Sequence, residues 1–158
     1  MKLEVLKNKC TSCVKCTLST TRNNVVFGRG NPDSNLFVIG EGPGQQEDEQ
    51  GLAFVGRSGK MLDDIFLSVG IDTNKDCYIS NIVKCRPPDN RKPLINEVSE
   101  CMPWLTQQIN LVKPNIIVLA GSTAVESYLG IKKPISQLRG SWIIKEDIKY
   151  MPIFHPSY

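Results

Sequence analysis

Six cysteines, one histidine and a run of carboxylates are the residues of this chain with the most chemistry to offer. Cys10, Cys13 and Cys16 are spaced C-x2-C-x2-C, and Cys77, Cys85 and Cys101 follow far downstream. Thiolates with two residues between them can reach one metal from a single turn of chain, and distant partners then staple that turn to the core. The spacing is that of iron-sulfur runs, but the fourth cysteine followed by proline is missing near Cys16. Four-cysteine sites accept structural zinc as readily as an iron-sulfur cluster, so spacing leaves the metal open. Cys10 and Cys77 read equally well as packed thiols.

His155 lies in Phe154-His155-Pro156-Ser157, and the loop Gly40-Glu41-Gly42-Pro43-Gly44 follows an apolar run. Glycines directly after a strand let the backbone approach a phosphate or a flat base closely, and the N–H groups there can bind anions. A simple turn would use the same residues. Gly51 to Ser58 nearly matches a phosphate-binding P-loop, but Arg57 stands where that loop needs lysine. Its preceding residues, Glu47-Asp48-Glu49-Gln50, are acidic rather than a strand, which argues against nucleotide hydrolysis. Glu41, Glu47, Asp48 and Glu49 have the composition of a solvated loop.

Elements that could position these groups alternate along the chain. Leu36-Phe37-Val38-Ile39 and Asn115 to Ala120 are continuous apolar runs, the pattern of strands buried on both faces. Tyr78 to Val83 and Met151 to Phe154 are weaker strand candidates, and Pro152 in the latter suits an edge or a strand start. Between them, Leu62, Ile65, Phe66 and Val69 recur at helical spacing after Ser58 as N-cap, and Gly70 can close that helix. A second stripe uses Val98, Cys101, Leu105, Ile109 and Val112, with a kink or a start expected near Met102 because Pro103 follows. Ser122 to Leu129 reads as a third helix closed by Gly130. The alternation predicts an α/β fold with a parallel sheet and helices on both faces, whose ligands bind beyond the carboxyl ends of the strands.

A length of 158 residues with 41% hydrophobic content fits one domain with a sizeable core. The formal charge of +3 suits a polyanionic partner without demanding one. No apolar stretch approaches the roughly 18 residues of a membrane span, and no basic-then-apolar start resembles a signal peptide. The expectation is a cytoplasmic protein without membrane association, in which cysteines serve as ligands or packed thiols rather than disulfides.

Several motifs in order carry a resemblance. Cys13-Val14-Lys15-Cys16, Val26-Phe27-Gly28-Arg29-Gly30, Gly40-Glu41-Gly42-Pro43-Gly44 with Glu47-Asp48, Phe54-Val55-Gly56, Asn81 to Pro88, Cys101, Leu138-Arg139-Gly140 and His155-Pro156-Ser157 together resemble the family 4 uracil-DNA glycosylases. The resemblance implies a central four-stranded parallel sheet flanked by helices. It also implies a 4Fe-4S cluster on Cys13, Cys16, Cys85 and Cys101 in place of zinc, with Cys10 and Cys77 outside it. The domain would span 1–158 and lack the segment with which family members continue after His-Pro-Ser.

The same resemblance implies an activity, namely hydrolysis of the N-glycosidic bond of deoxyuridine in single- or double-stranded DNA by a monomer. The base would flip into a pocket walled by Gly40, Glu41 and Gly42, with Phe54 stacking on it. Asn81 would read its pairing edge, and His155 would donate to its carbonyl as negative charge builds there. Gly42 stands where family 1 glycosylases carry an aspartate. Glu41 and Glu47 therefore remain as the catalytic carboxylates, Glu47 being favoured to orient the water. Arg57, Lys60, Arg86, Arg91 and Ser157 are candidate phosphate contacts. Two other readings are a catalytically silent nucleic-acid-binding module of the same fold and an iron-sulfur electron carrier.

Overall fold

The computed structural model describes residues 2–157; Met1 and Tyr158, the end noted above, lie outside the described residues. Strands β1 (Arg29–Gly30), β2 (Leu36–Gly40), β3 (Cys77–Asn81), β4 (Ile116–Ala120), β5 (Ile143–Lys145) and β6 (Ile148–Ile153) form one sheet in the order β1-β3-β2-β4-β6-β5. The inner four, β3-β2-β4-β6, are parallel, and β1 and β5 add antiparallel edges. The expected four-stranded parallel sheet is thus the centre of a six-stranded mixed sheet.

Both edge strands escaped the sequence for local reasons. β1 has two residues and no pattern to read. β5 turns into β6 through Glu146 and Asp147, both at positive φ, without the glycine that usually marks such a two-residue hairpin. Pro152 sits inside β6 rather than at its start. β5 pairs only as far as Tyr150, so the strand is locally an edge at Pro152 and the missing N–H interrupts no ladder.

Alternate residues of the central strands feed two cores. Phe37, Ile39, Ile117 and Leu119 pack with α1 (Leu3–Cys10), α4 (Ile95–Val112) and α5 (Ser122–Leu129) on one face. Val38, Ile79 and Val118 pack on the other against Leu62 and Phe66 of α3 (Arg57–Leu67). Ile65 and Val69, expected in that apolar stripe, are exposed, so α3 buries a narrower face than its sequence suggests. Gly56, not Ser58, is its N-cap, and Ser68 its C-cap; Gly70 just beyond adopts positive φ and donates to the Leu67 carbonyl.

α4 runs through Pro103 without a break, so no helix starts near Met102. The proline lies on the solvent side, where water can satisfy the carbonyl it frees, while Cys101, Trp104, Leu105 and Gln108 anchor the opposite side. Residues Gln45–Gln50 form a short helix, α2, instead of a solvated loop. Asp48 in it is buried and accepts from the backbone N–H groups of Asn23 and Asn24 and the Asn23 amide, at 2.8, 3.1 and 2.7 Å. A further short helix, α6 (Ile135–Leu138), precedes β5. No described helix is long and apolar enough to cross a membrane.

Candidate active site and thiol cavity

All four parallel strands deliver a residue to one cleft at their carboxyl ends. Gly40 ends β2, Asn81 ends β3, Gly121 follows β4 and His155 follows β6. The cavity there measures about 270 Å3 and is lined by Glu41, Gly42, Glu47, Phe54, Asn81 and His155 among others. Small-ligand pockets begin at roughly this size, about 300 Å3. Every residue that sequence reading assigned to base binding or catalysis falls in or beside this cleft.

Close approach explains the glycines. A Cβ on Gly40 would overlap the Phe54 ring and come within 2.5 Å of the Asn81 amide oxygen. One on Gly121, whose φ is +95°, would meet the His155 Cβ at 3.2 Å. Gly40→Ala is therefore expected to push the Phe54 ring and the Asn81 amide apart, and the overpacking costs about 1–3 kcal/mol of stability. Thermal denaturation checks this, and an unchanged midpoint would count against the close packing around Gly40.

Phe54 has φ of 53°, an uncommon conformation for a bulky residue and one that surrounding contacts must hold. Three neighbours do so. Glu47 accepts from the N–H groups of Val55 and Gly56 at 3.0 and 2.6 Å through one oxygen, and from Gly44 at 3.0 Å through the other. Arg29 donates to the carbonyls of Ala53 and Phe54 at 2.6 and 3.0 Å and pairs with Asp63 at 3.0 Å. Gly59 of α3 leaves the space a Cβ would take from the Phe54 backbone. The Phe54 ring consequently lies 6.1 Å from the His155 ring, with 30° between their planes.

Asn81 is 2% exposed, and its Oδ1 is a buried polar atom without a hydrogen-bond partner among the described residues. Such an orphan costs about 1–3 kcal/mol unless a ligand fills it. Ser157 donates its backbone N–H to His155 Nδ1 at 3.1 Å, with the Ser157 hydroxyl 2.7 Å from the same nitrogen. A fixed N–H donor requires Nδ1 to be the acceptor, which leaves the proton on Nε2. Burial pushes the His155 pKa below its ordinary value, and the Glu41 charge partly opposes that. The Glu41 carbonyl accepts from the Val83 N–H at 3.2 Å, while its carboxylate has no hydrogen bond or ion pair among the described residues.

Of the candidate phosphate contacts, Arg91 is already held bidentately by buried Glu97, at 2.7 and 2.9 Å. Arg86 donates to Asn90, Ser157 serves His155, and Arg57 and Lys60 lie on the first turn of α3. Glu97, which sequence reading did not single out, also caps α4 by accepting from the Leu94 N–H, and with leucine at the N-cap no capping signature marked it in the sequence.

On the other side of β3 a second cavity gathers Cys13, Cys16, Cys85 and Cys101. Cys10 lines it too, whereas Cys77 is buried elsewhere, in β3. Three sulfurs already receive N–H donors. Trp104 Nε1 donates to Cys13 at 3.4 Å, Arg22 to Cys85 at 3.3 Å and the Lys84 backbone N–H to Cys101 at 3.2 Å. Burial raises the Cys85 thiol to about 11 and raises Cys101 as well, with Arg22 and Lys84 respectively pulling the other way. This donor set fits a thiolate-held group. Among the described residues no three His, Cys, Asp or Glu side chains are gathered closely enough for a single metal ion.

The sheet thus carries a cleft at the carboxyl ends of its parallel strands, and four cysteines gather in a second cavity. The family model described as the uracil DNA glycosylase superfamily matches residues 27–158, and the chain belongs to that superfamily. It is 41% identical to the type-4 uracil-DNA glycosylase of Thermotoga maritima, over 99% of this chain and 82% of that protein. The type-4 enzymes of Sulfurisphaera tokodaii and Archaeoglobus fulgidus are 38% and 36% identical, each over 98% of this chain and 74% and 81% of their own lengths.

Proposed function

We infer that this protein is a uracil-DNA glycosylase of base-excision repair, hydrolysing the N-glycosidic bond of deoxyuridine in DNA to leave an abasic site. The observation that carries the reading is the unpartnered Asn81 Oδ1, buried at the end of β3 and bordering the cleft opposite Phe54. Uracil offers an N3–H to that oxygen and a carbonyl to the amide N–H, whereas cytosine places a bare ring nitrogen and an amino group there. The flipped ring stacks on Phe54. His155 Nε2–H donates to the carbonyl oxygen that gains charge as the base leaves.

The carboxylates divide the remaining work. Glu47 uses three of its roughly four acceptor positions on backbone N–H groups, which leaves one in a fixed direction for the attacking water. Glu41, whose carboxylate has no partner among the described residues, supplies negative charge beside the developing positive charge on the sugar. Gly40 and Gly42 keep the wall flat. The reading extends to uracil in either single- or double-stranded DNA, acted on by a monomer formed by the 1–158 domain.

Cys13, Cys16, Cys85 and Cys101 would hold a 4Fe-4S cluster, for which one cavity ringed by four thiols is better suited than for one zinc ion with sulfurs at about 2.3 Å. Its contribution is to tie the segment after α1, the loop after β3 and α4 together, and no step of base removal runs through it. Asn81→Ala should slow uracil release roughly ten- to hundredfold, as the loss of hydrogen bonds worth about 1–3 kcal/mol requires. Single-turnover rates measure it, and an unchanged rate would remove Asn81 from the pocket's reading edge.

A further inference from the structure

Lys84 is 1% exposed and lines the thiol cavity, while Asn81, to which it bonds, lines the cleft at the strand ends. Among the described residues no carboxylate pairs with it. It donates instead to the Ser80 hydroxyl and to the Asn81 carbonyl, both at 2.7 Å. Ser80 in turn donates to the Phe27 carbonyl at 2.8 Å, which also accepts from buried Gln108. Burial pushes the Lys84 pKa down, and Cys101, then Cys10 and Cys85, oppose that shift.

An ammonium buried with neutral acceptors only is costly, and such groups persist where an anion is near. A cluster carried by four thiolates bears net negative charge and would meet that need from the Cys101 and Cys85 side. The same ammonium grips one end of the Asn81–Ile82 peptide. The other end is held where the Ile82 N–H donates to the Gly40 carbonyl at 2.8 Å. With both ends pinned, the peptide plane is fixed where the chain leaves the sheet, and with it the direction of the Asn81 side chain.

We propose that Lys84 is a positioning residue with two duties, serving as the buried counter-charge of the thiolate-held cluster and as the clamp that aims the Asn81 amide into the base cavity. Integrity of the thiol site is thereby coupled to base reading through one side chain. The proposal rests on the cluster and pocket assignments above, and its test separates them.

The test uses the holoprotein, with three measurements on wild type, Lys84→Met and Lys84→Arg. These are visible absorption, the midpoint potential of the cluster, and the inhibition constant of free uracil, the last repeated in an Asn81→Ala background. Removing the positive charge makes adding an electron harder, so Lys84→Met should show a more negative potential, while Lys84→Arg stays near wild type. Both variants should bind free uracil about tenfold more weakly, the scale of a lost charged hydrogen bond, and this loss should vanish once Asn81 is alanine.

An unchanged potential in Lys84→Met overturns the first duty. Unchanged uracil inhibition, or a loss that persists without Asn81, overturns the second. Should Lys84→Met fail to fold, wild-type uracil inhibition in Lys84→Arg, whose fork cannot reproduce a compact ammonium, still overturns the clamp. A wild type that releases uracil without cluster absorption instead refutes the cluster assignment and the counter-charge with it, and the Asn81 cycle then decides the clamp alone.

Discussion

His155→Ala is expected to slow uracil release by about 10²–10³-fold in single turnover, the usual effect of removing one preorganised donor to a developing oxyanion. The expectation follows from the tautomer. Because the Ser157 N–H donates to Nδ1, the ring's one proton sits on Nε2 without need of a positive charge. Protonating Nδ1 would set two donors face to face, in the same direction as the depression caused by burial. The neutral form thus persists below the ordinary histidine value of about 6.5.

Two pH dependences follow with defined sign. Between the lowered folded value and about 6.5 the unfolded chain binds more protons than the folded one, so His155 contributes stability above about 6.5 and loses it as pH falls through that window. The His155-dependent part of the rate should stay level down through pH 6.5 and decline only nearer the folded value. Rates and denaturation midpoints measured from pH 5 to 8 check both. A rate that rises on acidification, as a cationic donor would give, contradicts the assigned tautomer.

Glu47→Ala carries the second large effect, because it orphans three backbone N–H groups at once. Stability should fall by about 2–4 kcal/mol, the cost of unsatisfied buried donors after partial rehydration. That corresponds to a drop in Tm of about 5–15 °C for a chain of this size. Uracil release should fall with it as the left-handed turn at Phe54 loosens. Glu47→Gln separates the two roles, since its amide oxygen can still serve Val55 and Gly56 while the negative charge is gone. Recovered stability with a slow rate is the expected pattern. Recovered rate would assign Glu47 to scaffolding alone and leave Glu41 as the working carboxylate.

The two inner strands of the sheet, β2 and β4, were legible because burial on both faces makes an apolar run with clear stops, at Gly40 and Gly121. α5 was legible down to its closing Gly130, which adopts positive φ. What escaped depended on distant partners. Pro103 reads as a break in sequence, yet the packing of Cys101, Trp104 and Leu105 carries the helix through it. The acidic run at 47–49 reads as solvated, yet Asn23 and Asn24 arrive from more than twenty residues away to bury Asp48.

The same distinction holds at the site. Asn81, Phe54 and His155 stand in motifs whose order along the chain can be read directly. The side chains that hold them do not. Arg29 reaches the Phe54 loop from β1, and Lys84 meets the Asn81 carbonyl inside the core, both in three dimensions only. Nothing in local pattern marks a lysine as the most deeply buried cation of a fold.

The most direct test incubates the holoprotein with an end-labelled single-stranded oligonucleotide bearing one uracil, beside a control with cytosine at that position. Free uracil and an alkali-labile break at the uracil, with the cytosine strand intact, is the predicted result. Salt-sensitive binding of the uracil strand, with the strand left whole and no base released, would contradict the glycosylase assignment.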